Sequence, residues 1–385
     1  MGKFRDSAMG VLKIFDAWKK RSDAKRAGKR PKKRSAGASN FPYVVARVKA
    51  MKPSLFPRDT LAKMITMDLP QIARLVGESA YRLEIDSLAL KYRGADLIEH
   101  ALNLNLGRTL SKIVGWSKGE LRELLEIYVS KYDGQNLKTV LRAKLYAAPA
   151  EELEWALIGA GHYEIEFWMR LYEKAGYDEI LGELDKTEFG APLREVYEET
   201  GTWDNLAPYE EAIERLYFER LAAGFTGETK AKEMARSFIG KMIDAMNLKT
   251  LFTLKNENVP AEDILKRLVI AENSIFKTEE WKKLSEVENL AACGEFLRRH
   301  SVYKYIAEGL EEALEKKSLG TLGRLLKRWA RTGTGKFSYS HPLSIVPVLD
   351  FILQKQREID NIRIIARGRE LKLPEKTIAF LVWPE

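Results

Sequence analysis

The chain has 385 residues, 45% of them hydrophobic and 31% charged, which supplies apolar surface for a sizeable interior but is too long for one small core. Its formal charge of +9 lies at one end: residues 1–40 carry 13 lysines and arginines against three aspartates, leaving 51 bases against 52 acids in the remainder. That neutral body argues against a globular nucleic-acid-binding surface. Cys293 stands alone, which excludes an intramolecular disulfide or a thiol zinc site, and no apolar run approaches the roughly 20 residues that span a bilayer.

In chain order, residues 1–40 are expected to form a basic, flexible extension whose composition cannot build a core. Phe4, Val11, Leu12, Phe15 and Trp18 have amphipathic spacing, so the extension reads either as an arm drawn to anionic lipid headgroups or as a solvated tail. Charges at Lys3, Arg5, Asp6 and Lys13 interrupt any secretory apolar region, and a cytoplasmic location is expected.

From Tyr43 onward apolar residues recur three and four positions apart, as in Leu121, Leu124, Leu125, Tyr128 and Val129, which predicts an all-α body. Prolines such as Pro57, Pro149, Pro260 and Pro374 divide it into many helices.

A short string recurs three times in this body. Asp133, Asn136, Leu137 and Lys138 match Asp244, Asn247, Leu248 and Lys249, and again Glu358, Asn361, Ile362 and Arg363. The asparagines are 111 and 114 residues apart. Eight residues beyond each stands a base, Lys144, Lys255 or Arg369; thirteen beyond stands a proline, Pro149, Pro260 or Pro374. Each proline is expected in the first turn of a new helix, where its missing N–H has no helical partner. This spacing predicts three helical units, 41–157, 158–268 and 269–385.

Within a helix the acid, the asparagine and its aliphatic neighbour fall at i, i+3 and i+4, which sets the amide on or beside the packed face. A buried amide needs partners, so its expected role is to bind backbone groups of a neighbouring helix end. The base five residues after the acid cannot share that face and is expected to point outward or toward the next unit. Asp133, Asn136, Lys138, Asp244, Asn247, Lys249, Glu358, Asn361 and Arg363 are therefore candidates for a repeated structural motif, not a reaction centre.

Other chemistry finds little support. No two of His100, His162, His300 and His341 have the spacing of a zinc-binding helix, and His162, Glu164 and Glu166 read as a solvated edge. Residues 332–337 resemble a phosphate loop, but Ala330 stands where its first glycine belongs and Phe337 where its hydroxyl belongs. Acid pairs such as Glu151 and Glu152 suit the first turn of a helix. No catalytic residue, cofactor or metal is assigned.

The stretch from Asn40 to Met51, the segment from His341 to Pro347 and the run from Glu358 to Gly368 resemble the C subunit of archaeal A-type and V-type ATPases, the counterpart of the eukaryotic d subunit. The resemblance spans about residues 40 to 385. It implies three similar helical domains in a funnel-like, pseudo-threefold arrangement. It also implies a non-catalytic rotor component that couples the proteolipid c-ring to the D and F subunits of the central stalk, beneath the catalytic A and B subunits. Such a protein is peripheral on the cytoplasmic face of the cell membrane, with no nucleic acid as partner. The alternative is a basic-tailed helical protein that binds nucleic acid or acts as a scaffold. One departure is visible: Thr253 stands where the other units carry Arg142 and Arg367.

Overall fold

A computed structural model describes residues 38–332, 338 and 341–382, so the basic extension up to residue 37 lies outside it. Among the described residues the regular structure is helical and no strand occurs. The first helices are α1 (Phe41–Met51), α2 (Arg58–Met64), α3 (Leu69–Gly77), α4 (Arg82–Leu88), α5 (Gly94–Trp116) and α6 (Gly119–Val129). Then follow α7 (Lys131–Leu145), α8 (Ala150–Ala156), α9 (Ile165–Tyr172), α10 (Tyr177–Leu184), α11 (Gly190–Thr200) and α12 (Ala207–Gly224). The second half contains α13 (Lys230–Asn256), α14 (Ala261–Arg267), α15 (Thr278–Glu286), α16 (Leu290–Leu297), α17 (Tyr303–Lys316) and α18 (Gly320–Ala330). The last two are α19 (Val346–Glu370) and α20 (Glu375–Leu381).

The start and stop signals recur with the repeat. Helices α7, α13 and α19 carry the three motif strings, and each ends in a residue of left-handed conformation: Ala147, Asn258 and Lys372, with φ of 48°, 57° and 54°. The next N–H returns to a carbonyl five residues earlier, Ala148 to Ala143 (2.9 Å), Val259 to Leu254 (3.0 Å) and Leu373 to Gly368 (2.8 Å). This bond closes the last turn and satisfies a carbonyl that the helix leaves open. Pro149, Pro260 and Pro374 then serve as N-caps, one position earlier than their spacing predicts. Their carbonyls accept from Leu153, Ile264 and Ile378, which are buried and anchor the short helices α8, α14 and α20.

The periodicity extends to whole helices. Helices α9 to α12 start at residues 165, 177, 190 and 207, and α15 to α18 at 278, 290, 303 and 320, a constant offset of 113. Helices α2 to α5 start at 58, 69, 82 and 94, which precede the α9 to α12 starts by 107, 108, 108 and 113.

Buried side chains gather in three clusters. One uses residues 137–213, from α7 to α12, and a second uses residues 245–330, from α13 to α18. The third joins both ends of the described chain: Val44, Ile72, Tyr81, Ile98 and their neighbours pack against Ile359, Ile362 and Ile365 of α19 and Ile378 of α20. The units drawn on the sequence and these clusters thus differ in phase. Each motif helix works with the helices that follow it, and α19, having few after it, works with α1 to α5.

Candidate functional site

The motif asparagines bind backbone in the same way. Asn136, 1% exposed, donates from Nδ2 to the carbonyl of Ile158 (3.0 Å) and accepts the Ile158 N–H on Oδ1 (2.9 Å). Asn247, fully buried, makes the same pair of bonds with Val269, both at 2.9 Å, again 22 residues downstream. Each bonded residue follows the end of α8 or α14, so the amide holds the chain where it leaves a short helix. Asn361 is buried at 2% exposure, and its counterpart position, 22 residues on, lies outside the described residues.

The acid of each string holds the start of the next segment. Asp133 accepts the N–H groups of His162 (2.7 Å) and Tyr163 (3.1 Å), immediately ahead of α9. Asp244 accepts the N–H of Ile275 (2.7 Å) and the hydroxyl of Ser274, shortly before α15. Burial pushes both carboxyls up to about 7 against the opposing pull of these hydrogen bonds. Glu358 accepts the N–H of Phe56, just ahead of α2, together with the Tyr81 hydroxyl (2.5 Å) and the Lys355 ammonium (3.0 Å). All three acids therefore secure a loop that leads into a short helix, α9, α15 or α2.

The base eight residues past the asparagine caps that short helix at its far end. Lys144 donates to the carbonyls of Tyr172 (3.2 Å) and Lys174, and Lys255 to those of Ser285 (2.6 Å) and Val287 (2.5 Å). A cation there meets both the open carbonyls and the negative end of the helix dipole. Arg369 instead pairs with Glu375 at 3.6 Å.

The bases two residues past the asparagines leave this packed face. Lys249 reaches Glu214 of α12 (3.4 Å), and Arg363 binds Glu99 (3.0 Å) and Asn103 (2.7 Å) of α5. Lys138 is half-buried and close enough to Glu214 to lower that carboxyl's pKa. Arg142 forms a two-point pair with Glu210, and Arg367 binds Asp96 and Glu99, whereas Thr253 returns its hydroxyl to the Lys249 carbonyl (3.0 Å).

Sequence reasoning missed the seam that joins α19 to α7 and to the end of α18. Gln356 of α19 donates to the Tyr132 hydroxyl of α7 (2.6 Å), and Arg331, just after α18, faces Asp360 of α19 at 3.6 Å. Lys131 lies over the rings of Tyr128 (4.5 Å) and Tyr132 (5.1 Å), and burial pushes its ammonium down to about 7. Lys327 of α18 is exposed, yet desolvation lowers its pKa beside Lys249, Glu214 and Asp360. Of these side chains only Lys249 belongs to the repeated string, so the spacing gave no signal for the others.

Among the described residues no group of His, Cys, Asp and Glu is arranged to hold a metal ion, and no helix is long and apolar enough to cross a membrane. Of the loop likened to a phosphate loop, 332–337, residues 333–337 lie outside the described residues.

The profile of the ATP synthase (C/AC39) subunit family matches residues 44–380. The chain is 35% identical to the C subunit of the A-type ATP synthase of Methanosarcina acetivorans, over 92% of this chain and 96% of that one. It is 36% identical to the corresponding subunit of Methanococcoides burtonii, over 90% and 95%. For that of Haloferax volcanii the identity is 32%, over 89% and 97%.

Proposed function

Since the chain belongs to the C/AC39 family of ATP synthase subunits, we propose that it is the non-catalytic coupling element of an A-type ATP synthase rotor, joining the membrane c-ring to the D and F subunits of the central stalk. Ion flow turns the ring, this protein turns with it, and the stalk carries the rotation to the catalytic A and B subunits. Three helical modules form a funnel-like body in this reading, and the chain sits peripherally on the cytoplasmic face of the membrane.

The observation that carries the reading is the triply repeated polar anchoring of the motif helices. A coupler transmits torque only as far as its own modules resist shear. Directional hydrogen bonds from buried Asn136, Asn247, Asp133, Asp244 and Glu358 tie long helices to loops that hydrophobic contacts alone leave free to slide. Size-exclusion co-elution with detergent-solubilised c-ring, and separately with the D and F pair, tests the proposal at low and moderate salt. Binding to both is the expected outcome. Binding to neither, with salt-sensitive retention of nucleic acid, overturns it in favour of a basic-tailed nucleic-acid-binding protein.

A further inference from the structure

We propose that the cavity between α5, α19 and residues 51–55 is a binding site for a small phosphate, taken either as the free ion or as a phosphate monoester. The inference is independent of the coupling role, since it concerns a hollow within the cluster that joins the two ends of the described chain.

Helix α5 builds the polar wall. Asn105, Arg108, Thr109 and Lys112 stand at i, i+3, i+4 and i+7 and all line the cavity, so an amide, a guanidinium, a hydroxyl and an ammonium share one face of the helix. Lys355 lines it from α19 with Phe351 one turn earlier, and Met51 and Leu55 add apolar surface. The lining holds three cations and no carboxylate. Glu84 and Glu358 lie outside it, where Glu84 takes Arg108 at 2.8 Å and Glu358 takes Lys355 at 3.0 Å. Counting both acids leaves one surplus positive charge. It belongs to Lys112, which is exposed and forms no ion pair among the described residues.

Hydrogen-bonding capacity is also unused there. Thr109 is 6% exposed, and its hydroxyl has no partner among the described residues. Asn105 donates from Nδ2 to Glu84 (3.1 Å) and to the Ala80 carbonyl (2.9 Å), which fixes the amide and leaves its buried Oδ1 without a donor. The motif asparagines Asn136 and Asn247 use both ends of the amide; Asn105 uses one. A guanidinium carries five N–H donors and an ammonium three, and the two acids engage only part of them. Donors thus converge from two helices on one space. The two oxygens of a carboxylate cannot meet them all, whereas the tetrahedral oxygens of a phosphate can, and its monoprotonated form carries the O–H that the Asn105 acceptor lacks. The cavity, about 170 Å³, is far larger than one water needs and smaller than the roughly 300–1,000 Å³ that enclose drug-sized ligands. It has room for a phosphate with a short substituent, not for a nucleotide.

A ligand held here touches residues 51–55, α5 and α19 together, so it braces the same closure that Glu358 makes with the N–H of Phe56. Binding to the folded chain alone stabilises that closure by mass action.

The test uses the full chain. Titration calorimetry measures binding of inorganic phosphate and of glycerol phosphate, each against chloride at equal ionic strength, for the native chain and for Arg108→Gln, Lys112→Gln and Thr109→Val. Lys376→Gln on α20 serves as a charge-matched control outside the cavity. The expected result is one saturable site per chain, weakened about tenfold or more by Arg108→Gln, about threefold or more by Lys112→Gln and by Thr109→Val, and unchanged by Lys376→Gln. Phosphate is also expected to slow hydrogen exchange in residues 51–56, α5 and α19 while leaving residues 137–213 unaffected. Tighter binding of glycerol phosphate assigns the site to a monoester such as a lipid headgroup carries, and tighter binding of inorganic phosphate assigns it to the free ion. Lys112→Gln and Thr109→Val leave the pair of Arg108 with Glu84 intact, so their result stands even if Arg108→Gln fails to fold. Absence of saturable binding beyond that of chloride overturns the proposal. Equal weakening by Lys112→Gln and Lys376→Gln overturns it too, because it marks attraction to surface charge in general.

Discussion

Glu358 accepts the backbone N–H of Phe56 across 302 positions of sequence, and this bond closes the two ends of the described body onto one another. The same carboxylate neutralises Lys355, which is 4% exposed at its side chain and rests over the Tyr81 ring at 3.8 Å. Glu358→Ala removes three partners together and leaves a buried ammonium alone. Losing one member of such a pair costs about 3–5 kcal/mol. Hydrogen exchange is expected to show accelerated opening across α1 to α5 and α19, with residues 137–213 keeping their protection; a uniform loss over all three clusters contradicts the local role.

Asn136→Leu and Asn247→Leu are expected to have matching effects, because each asparagine serves one N–H and one carbonyl in buried surroundings. Each orphaned group costs about 1–3 kcal/mol, which places either substitution at about 2–6 kcal/mol. Urea unfolding measures the loss. An effect below about 1 kcal/mol in both indicates that water replaces the amide and that the repeated asparagine is dispensable to the fold.

The pH dependence follows from Asp133 and Asp244, whose carboxyls are raised to about 7 by burial. Their unfolded values lie near 4, so between these limits the folded chain binds more protons than the unfolded one. This contribution to stability is full below about 4, declines as pH rises through 7 and is flat beyond. The negative charges of Glu188 beside Asp133 and Glu280 beside Asp244 act on these carboxyls as well. The informative quantity is therefore the difference between the native chain and the Asp133→Asn, Asp244→Asn double variant. Thermal melts at pH 5, 6, 7 and 8 are expected to fall more steeply for the native chain; parallel slopes refute the assignment.

The repeat was legible because it lies in residue types that cannot be exchanged freely. An asparagine with two buried backbone partners and a proline at a helix start leave fixed intervals in the sequence, and the interval of thirteen marks α8, α14 and α20. Conformation without a fixed residue type was hidden. The left-handed helix ends are Ala147, Asn258 and Lys372, three different side chains for one backbone shape. The role of Lys144 and Lys255 was hidden as well, since the carbonyls they cap lie about 30 residues away on another helix. The pairing of α19 with α1 to α5 needs contacts across some 300 positions, and periodicity carries no distance of that kind. Lys131 and Lys327 were missed for the opposite reason: they lie outside the repeated string, and an isolated lysine on an amphipathic helix reads as a solvated face.

Gly240 sets two large effects against each other. It lies within α13, where alanine is favoured over glycine by about 1 kcal/mol. A Cβ at this position falls 1.8 Å from the carbonyl oxygen of Asn273, which is backbone and cannot swing aside. Overpacking of this kind costs about 1–3 kcal/mol or more, so Gly240→Ala is expected to destabilise despite its better helix propensity. Calorimetry decides between the two; a raised melting temperature means that the 271–275 loop yields at little cost.

Ala147 and Lys372 offer the reverse substitution. Both hold positive φ at the end of a motif helix, where a Cβ crowds the carbonyl and costs about 1–2 kcal/mol. Glycine adopts this shape without that strain but loses more freedom on folding, which returns about 0.5–1 kcal/mol. Ala147→Gly and Lys372→Gly are therefore each expected to stabilise by up to about 1 kcal/mol, and Asn258→Gly by less, since asparagine already tolerates the left-handed region. The ordering is the test. Urea midpoints for the three single variants that rank Asn258→Gly first contradict a shared helix-end conformation, whereas gains at Ala147 and Lys372 with little change at Asn258 show that three unlike residues obey one backbone requirement.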